Sequence, residues 1–244
     1  GDIISSNVYQ RLVKKEISKQ EQIIDNMELF TEKKYDKIKS TMLEIHQDNA
    51  LNDYIANKND RPYNLNNSIV NNYFFKTSHL EDGIKNIIFL NNNNKIITTS
   101  SFKEQSQVSP SYNFSKYWLV QKLNGTKECF LITADNDPEY IFGPSYPVIT
   151  FAGNVLNSDN ILKQEVIGKY LINLSMEVFT DAYYQYGGDE NSLFIIVNSN
   201  KKVLYSSNKK YIGEQYPYYD RIIYSNSNNI ILDKKSIVKQ KQIP

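Results

Sequence analysis

The sequence has few of the residues that most catalytic and metal sites use. Its 244 residues include one cysteine, two histidines and one tryptophan. The single cysteine, Cys129, excludes an internal disulfide, and neither His46 nor His79 has a second histidine or a carboxylate at metal-ligand spacing. A glycine-rich phosphate loop and a nucleophile elbow are also missing. We therefore expect no catalysis by this chain, and no bound metal or other cofactor.

An excess of charge of one sign and a long apolar run are also absent. The 28 Lys and Arg residues balance 27 Asp and Glu residues, and no basic face carries interleaved aromatics, so nucleic acid is not an expected partner. No run of eighteen apolar residues and no signal peptide occurs. Gly1-Asp2 at the start and Pro244 at the end indicate an excised fragment. Any membrane attachment is therefore expected through segments outside this sequence.

The sequence does contain an internal repeat. The segment IIFLNNNNKIITTS, residues 87–100, recurs as FIIVNSNKKVLYSS, residues 194–207. In each copy an apolar run meets a polar turn and then resumes, which predicts a β-hairpin. Asparagine suits this turn because it tolerates a positive φ. Two copies of a hairpin-bearing unit predict two modules that present a pocket, whereas a duplication without functional meaning is the alternative.

One long amphipathic helix is predicted over residues 5–47, where proline and glycine are absent. Apolar residues recur at three-and-four spacing, at Ile23, Met27, Phe30, Ile38, Met42 and Ile45. Such a helix would be about 65 Å long, whereas the rest of the chain should be only about 40 Å across. It must therefore run alongside both modules, and its more polar N-terminal half should project past them. Asp48 or Asn49 is expected to cap a second short helix that ends near Asn57.

The remaining elements predict an α+β fold, with a long N-terminal helix flanking two PAS-like modules. Each module should have a central antiparallel sheet, with helices on one side in the first, and the second should be smaller and truncated. The predicted parts are the helices at residues 1–60, a first module with its connector helix at 61–186, and a second module at 187–244. The predicted helices are Asn66–Lys76, Phe114–Leu123, Met176–Tyr186 and Tyr216–Tyr224, and the strands are Ile84–Leu90, Lys95–Ser100, Glu128–Ala134, Tyr146–Ala152, Val166–Leu174, Asn229–Leu232 and Ser236–Gln242.

The stretch GKYLINLSMEVFTDAYYQYGGDENSLFIIVNSNKKVLYSSNKKYIGEQ, residues 168–215, resembles the junction of double Cache domains. These are the tandem PAS-like extracellular sensors of bacterial histidine kinases and chemoreceptors. The matching features are a glycine that opens a strand, a helix after it, a second hairpin and the closing Ile212-Gly213. The long first helix and Trp118 extend the resemblance over nearly the whole chain.

The resemblance implies the extracellular ligand-sensing domain of a transmembrane two-component sensor histidine kinase of the Gram-positive type. The parent kinase would be a homodimer in the cell membrane, with this domain on the extracellular side and without enzymatic activity of its own. The ectodomain of a methyl-accepting chemoreceptor and a non-signalling surface binding module remain as alternatives.

The chain departs from the double Cache domains that bind amino acids. Those domains place an arginine two residues before a Trp-Tyr pair, whereas this chain reads SKYWLV around Lys116, Tyr117 and Trp118. A carboxylate ligand favours a bidentate guanidinium. The sequence therefore argues against a free amino acid as the ligand.

The candidate ligand-binding residues are aromatic or neutral, with one carboxylate. Aromatic faces can cover the apolar side of a sugar ring while hydroxyls bind its polar groups. We therefore expect a small neutral solute such as a sugar or polyol, or a solute-loaded binding protein. The alternative is that most of these aromatics are core residues. The candidates are Tyr112, Tyr117, Trp118, Thr133, Asp135, Tyr140, Tyr146 and Thr150.

Overall fold

The computed structural model describes residues 2–56, 68–80, 83–101, 107–144, 146–160, 162–198, 200–215, 229–233 and 236–239. Its helices are α1 (Asp2–Gln47), α2 (Asn49–Ala56), α3 (Ser68–Leu80), α4 (Trp118–Leu123) and α5 (Glu177–Gln185). Its strands are β1 (Ile84–Asn91), β2 (Ile96–Ser101), β3 (Leu131–Asp135), β4 (Val148–Leu156), β5 (Val166–Ser175), β6 (Ile195–Val197), β7 (Val203–Ser206), β8 (Asn229–Asp233) and β9 (Ser236–Lys239). The fold is thus α+β, as predicted.

The single long helix is confirmed, and its buried face is the predicted one. Of the six predicted apolar positions, five are buried and Phe30 is partly buried against the core. At the N-terminal end, Val8 and Leu12 are 50% and 60% exposed, as expected for a segment that projects past the core. The cap of α2 is Asp48, whose carboxylate accepts a hydrogen bond from the backbone N–H of Leu51.

The helix runs alongside both modules. In the first half of α1, Lys19 lies 3.5 Å from Asp189, and the side chain of Gln20 donates to Ser192. About three turns further along α1, Phe30 packs edge-on against the ring of Phe179 in α5. Its last turns pack on the first module. In the described part of the chain no helix is both long enough and apolar enough to cross a membrane.

The first module is a five-stranded antiparallel sheet with the order β2-β1-β5-β4-β3. One face packs on α1, α2 and α3. The other face is covered by α4 and by the loops on both sides of it. The expectation of helices on one side only was therefore wrong, because α4 is too apolar to lie outside the fold: Leu119, Val120 and Leu123 are fully buried.

Several helices and strands begin or end at other residues than predicted. The segment Phe114–Leu123 is not one helix, because Tyr117 is extended, with φ −75° and ψ 124°, between a 3-10 turn and α4. Strand β3 begins three residues later than predicted, and β4 is shifted toward the C-terminus. Helix α3 continues to Leu80, since no glycine or proline interrupts it before Gly83.

The second module contains two hairpins, β6–β7 and β8–β9, in separate two-stranded sheets. The first of them packs on α5 through stacked aromatic rings of Tyr183 and Phe194. The predicted helix at Tyr216–Tyr224 and the end of the last predicted strand lie outside the described residues. Strands β8 and β9 are confirmed.

The repeat extends to individual atoms of the turns. The Asn91 side chain accepts hydrogen bonds from the backbone N–H groups of residues 93 and 95, at 2.9 and 3.0 Å. The Asn198 side chain accepts from those of residues 200 and 202 at the same two distances. The positive φ falls on Asn94 in one copy and on Lys201 in the other, at 59° and 67°. Asparagine at the first turn position therefore acts as an acceptor, and the predicted positive φ falls on an asparagine only at the last turn position of the first copy.

Candidate ligand-binding site

A row of polar side chains crosses four strands on the sheet face that α4 covers. Strand pairing places Asn86 beside Asn173, Asn173 beside Thr150, and Thr150 beside Thr133. These four residues, here called the polar row, are each at most 6% exposed. The middle of the same face is apolar, with Ile88 and Leu171. Polar groups at such depth require partners, so the row marks a place of specific hydrogen bonding.

Asn173 is the centre of this network. Its amide oxygen accepts from the hydroxyl of Thr150 at 2.7 Å, and its amide nitrogen donates to the side-chain oxygen of Asn86. The same nitrogen lies 2.9 Å from the hydroxyl of Tyr140, which is fully buried above the row. Burial raises the pKa of Tyr140, so its phenol is neutral and available to both donate and accept.

Thr133 is the exception within the row. Its hydroxyl is buried and has no hydrogen-bond partner among the described residues. An unpaired buried hydroxyl costs about 1–3 kcal/mol. A ligand hydroxyl that reached this position would remove that cost.

Tyr117 and Asp135 form a second polar contact beside the row. The phenol of Tyr117 donates to Oδ2 of Asp135 at 2.9 Å, while Oδ1 accepts the backbone N–H of Asp137. Burial, followed by the neighbouring Tyr140 and Asp135, raises the pKa of Tyr117 well above its usual range. The break between the 3-10 turn and α4 is what turns Tyr117 inward, because its backbone is extended there.

Trp118 follows directly and is 41% exposed. The ammonium of Lys202 lies 4.3 Å from the centre of its ring, a cation–π contact. Lys202 comes from the turn of the second hairpin, so this ring lies where the two modules meet. Burial lowers the pKa of Lys202, whereas the charge of Asp135 acts in the opposite direction.

Two tyrosines form the edges of the site. The phenol of Tyr112 donates to Glu139 at 2.8 Å, and burial together with this hydrogen bond raises the pKa of Tyr112 to about 12. The phenol of Tyr146 accepts from the side chain of Asn86, and the ammonium of Lys85 lies over its ring. Tyr146 thus contacts the polar row directly, whereas Tyr112 packs against the ring of Tyr140.

The structure brings all eight predicted residues together on one face of the sheet, linked by ring contacts, hydrogen bonds and strand pairing. Four of them are buried: Tyr117, Thr133, Tyr140 and Thr150. Sequence reasoning missed Asn86, Asn173 and Lys202. A signal for Asn173 was present, because an asparagine inside the apolar strand KYLINLS is a buried polar group by strand alternation. No signal pointed to Lys202, whose contact depends on how the modules pack.

Metal-binding chemistry has no support in the described part of the chain. No three His, Cys, Asp or Glu side chains there are close enough together to hold a metal ion. Asp135 and Asp137 are near neighbours, but their contact is a hydrogen bond from a backbone N–H to a carboxylate. The polar row itself offers neutral donors and acceptors, and the charged groups Asp135, Glu139, Lys85 and Lys202 contact the aromatic residues around it.

No family model matches this chain, and no curated protein matches it either. Among solved structures, the ligand-binding domain of the Campylobacter jejuni chemoreceptor Tlp3 with L-valine aligns at 18% identity over 86% of this chain and 79% of that one, with a TM-score of 0.46. The sensor domain of the V. cholerae histidine kinase DctB aligns at 13% identity over 84% of this chain and 70% of that one, with a TM-score of 0.44. The ligand-binding domain of the Pseudomonas fluorescens chemoreceptor CtaA with L-isoleucine aligns at 11% identity over 84% and 75% of the two chains, with a TM-score of 0.46. At such low identities and TM-scores, these likenesses establish neither the family nor the ligand of this chain.

Proposed function

We propose that this chain is the extracellular ligand-sensing domain of a transmembrane sensor histidine kinase, and that it detects a small neutral solute such as a sugar or polyol. The polar row beneath Tyr117, Tyr140 and Trp118 carries this proposal. A sheet face that needed only stability would be apolar throughout, as its middle is. Buried hydroxyls and amides arranged in register supply instead the donors and acceptors of a binding site.

The chemistry of the site favours a neutral polyol. Amides and hydroxyls can each donate and accept, which matches hydroxyl groups on a ligand. The exposed ring of Trp118 offers an apolar face for the C–H side of a sugar. A ligand carboxylate would favour a guanidinium, whereas Arg11, the one arginine in the described part of the chain, is exposed on α1.

Two contacts connect this site to the rest of the molecule. Lys202 joins the indole of Trp118 to the second module. Helix α1 packs on the opposite face of the same sheet and continues along the second module. A ligand that repositions Trp118 would therefore change contacts at both modules and bias the helix between two positions.

The first experiment is a ligand screen that uses the single tryptophan as reporter. The panel contains neutral sugars, polyols, amino acids and organic acids, and both Trp118 emission and thermal stability are measured. At a hundredfold excess over Kd, a ligand adds about 2.7 kcal/mol, which raises Tm by several degrees. We expect the response from sugars or polyols.

Matched variants assign the response to the site. Tyr117→Phe removes only the hydroxyl that contacts Asp135 and should weaken the response, whereas Tyr184→Phe removes the hydroxyl of an exposed tyrosine of α5 and should not. A response to amino acids alone would show that the ligand class is wrong. If no compound in the panel responds, the small-molecule proposal fails, and the same assay with a solute-loaded binding protein tests the remaining form of sensing.

A further inference from the structure

A second cleft lies at the other end of the same sheet face. The β1–β2 turn, the loop between α4 and β3, and the loop before β5 meet there around an open space of about 550 Å³. Lys169 lies at its base, paired in register with Leu90 on one side and Asn154 on the other. Strand alternation places Lys169 four residues from Asn173 on the same face, so the cleft is about 13 Å from the polar row. The two sites are therefore separate.

Lys169 is unusual because its charge is buried. The residue is 4% exposed, although it lines the cleft. Its ammonium donates to the side-chain oxygen of Asn94 at 2.9 Å, which is the single acceptor that the described residues provide. An ammonium has three N–H donors, so two remain for a group in the cleft. A buried cation with one neutral partner is costly, and burial lowers the pKa of Lys169 accordingly.

Most of the other charges that line the cleft are positive as well. Lys127 and Lys163 line it together with Lys169, and Glu165 contributes one carboxylate, which lies 3.5 Å from the side chain of Asn157. The lining therefore has an excess of two positive charges. Such a lining attracts anions and favours two negative charges over one.

The wall of the cleft is held in place before any ligand arrives. The buried side chain of Asn154 donates to the carbonyl oxygens of Leu123 and Thr126, at 3.1 and 3.0 Å. These bonds fix the loop that carries Lys127 against the sheet. Because the wall is preformed, little conformational entropy of the protein is lost when a ligand binds.

We propose that this cleft binds a small dianion, such as phosphate or a dicarboxylate, through the ammonium of Lys169. The anion takes the free donors of Lys169 and is held from the solvent side by Lys127 and Lys163. This site is independent of the polyol site, and it takes a ligand of opposite chemistry. The fold thus offers two separate ligand positions on one face of the sheet.

Calorimetric titration with sodium phosphate, sodium sulfate and sodium succinate tests the proposal, with sodium acetate and sodium chloride at matched ionic strength as controls. We expect saturable binding of at least one dianion and none of chloride. The affinities for phosphate and sulfate, compared with that for succinate, distinguish an inorganic anion from a dicarboxylate. Lys169→Met should weaken binding about tenfold or more, because it removes the charged donors that contact the anion. Lys116→Met, which removes an exposed lysine outside the cleft, should leave it unchanged.

Equal binding by the wild type and Lys169→Met would show an adventitious ion on surface lysines and overturn the proposal, as would the absence of saturable binding by all three dianions. If Lys169→Met does not fold, the double variant Lys127→Met/Lys163→Met replaces it, because both side chains are exposed. This variant should also weaken dianion binding, and unchanged affinity would again overturn the proposal. Sugar binding by the same proteins reports separately on the polar row.

Discussion

The β1–β2 and β6–β7 hairpins have the same turn, but their strands lie in different surroundings. All eight residues of β1 are buried, whereas all three residues of β6 are partly exposed. Strand β1 has a second strand neighbour, β5, whereas β6 and β7 form a sheet of two strands, in which Val203 of β7 also bonds to the backbone of Gly213 and Glu214. The position of Asn86 in the first copy corresponds to Leu193 in the second, which is 45% exposed. The turn is thus a local property of the repeat, whereas the polar row required three strands outside the hairpin and the cover of α4.

Alkaline pH should destabilise the first module, which surrounds the first hairpin, more than the second. Burial raises the pKa of Tyr117, Tyr140 and Tyr170 far above the usual value of about 10. Above pH 10 the unfolded chain releases these protons while the folded chain keeps them, so stability falls as pH rises. Each such tyrosine lowers the free energy of unfolding by about 1.4 kcal/mol per pH unit. We therefore expect cooperative unfolding above pH 10, measured by circular dichroism.

A double variant tests the assignment. Tyr117→Phe/Tyr140→Phe removes two titrating groups, so the free energy of unfolding should decline less steeply with pH. Tyr184→Phe, in an exposed tyrosine of α5, is the control and should leave the slope unchanged. An equal slope in the wild type and the double variant would show that these two phenols titrate alike in the folded and unfolded states.

Asn173→Ala should be the most damaging substitution in the polar row. It removes the shared partner of Asn86, Tyr140 and Thr150 and leaves buried polar groups unpaired. We expect a loss of about 3 kcal/mol in the free energy of unfolding, measured by urea titration. Asn72→Ala, in an exposed asparagine of α3, should change it by less than about 0.5 kcal/mol. A loss of less than 1 kcal/mol for Asn173→Ala would mean that the network has alternative partners.

The paired substitutions Asn91→Ala and Asn198→Ala compare the two turns directly. Each removes a side chain that accepts two backbone N–H groups. Asn91 is 8% exposed and Asn198 is partly exposed, so water can replace the lost acceptor more easily in the second copy. We expect losses of about 2 kcal/mol and about 1 kcal/mol, respectively, in urea unfolding. Equal losses would show that the turn alone, and not its surroundings, sets the cost.

Sequence reasoning succeeded where the information is local. The spacing of Ile23, Met27 and Ile38 predicted the buried face of α1 because helix periodicity depends on neighbouring residues alone. The eight candidate site residues were identified by their type and by their places near strand ends. The structure shows that they lie together, and their role in ligand binding stays a prediction.

The rest depended on contacts between distant parts of the chain. Asn86 and Asn173 meet because β1 and β5 pair in one register, and a single sequence contains no measure of that register. The break at Tyr117 is set by packing of α4 on the sheet, which overrides helix propensity. The position of Lys202 over Trp118 depends on how the two modules dock.

Lys95 and Lys202 occupy equivalent places in the two turns, yet one contact distinguishes them. Lys202 lies over the ring of Trp118, whereas Lys95 is exposed at the turn of the first copy. Lys202→Met should therefore change the emission of the single tryptophan and cost about 0.5–1 kcal/mol, the size of a cation–π contact near the surface. Lys95→Met should do neither. If both variants change the emission equally, the modules do not dock through Trp118. If only Lys202→Met changes it, the indole of Trp118 reports the contact between the two modules. Its emission can then be used to follow that contact during ligand binding.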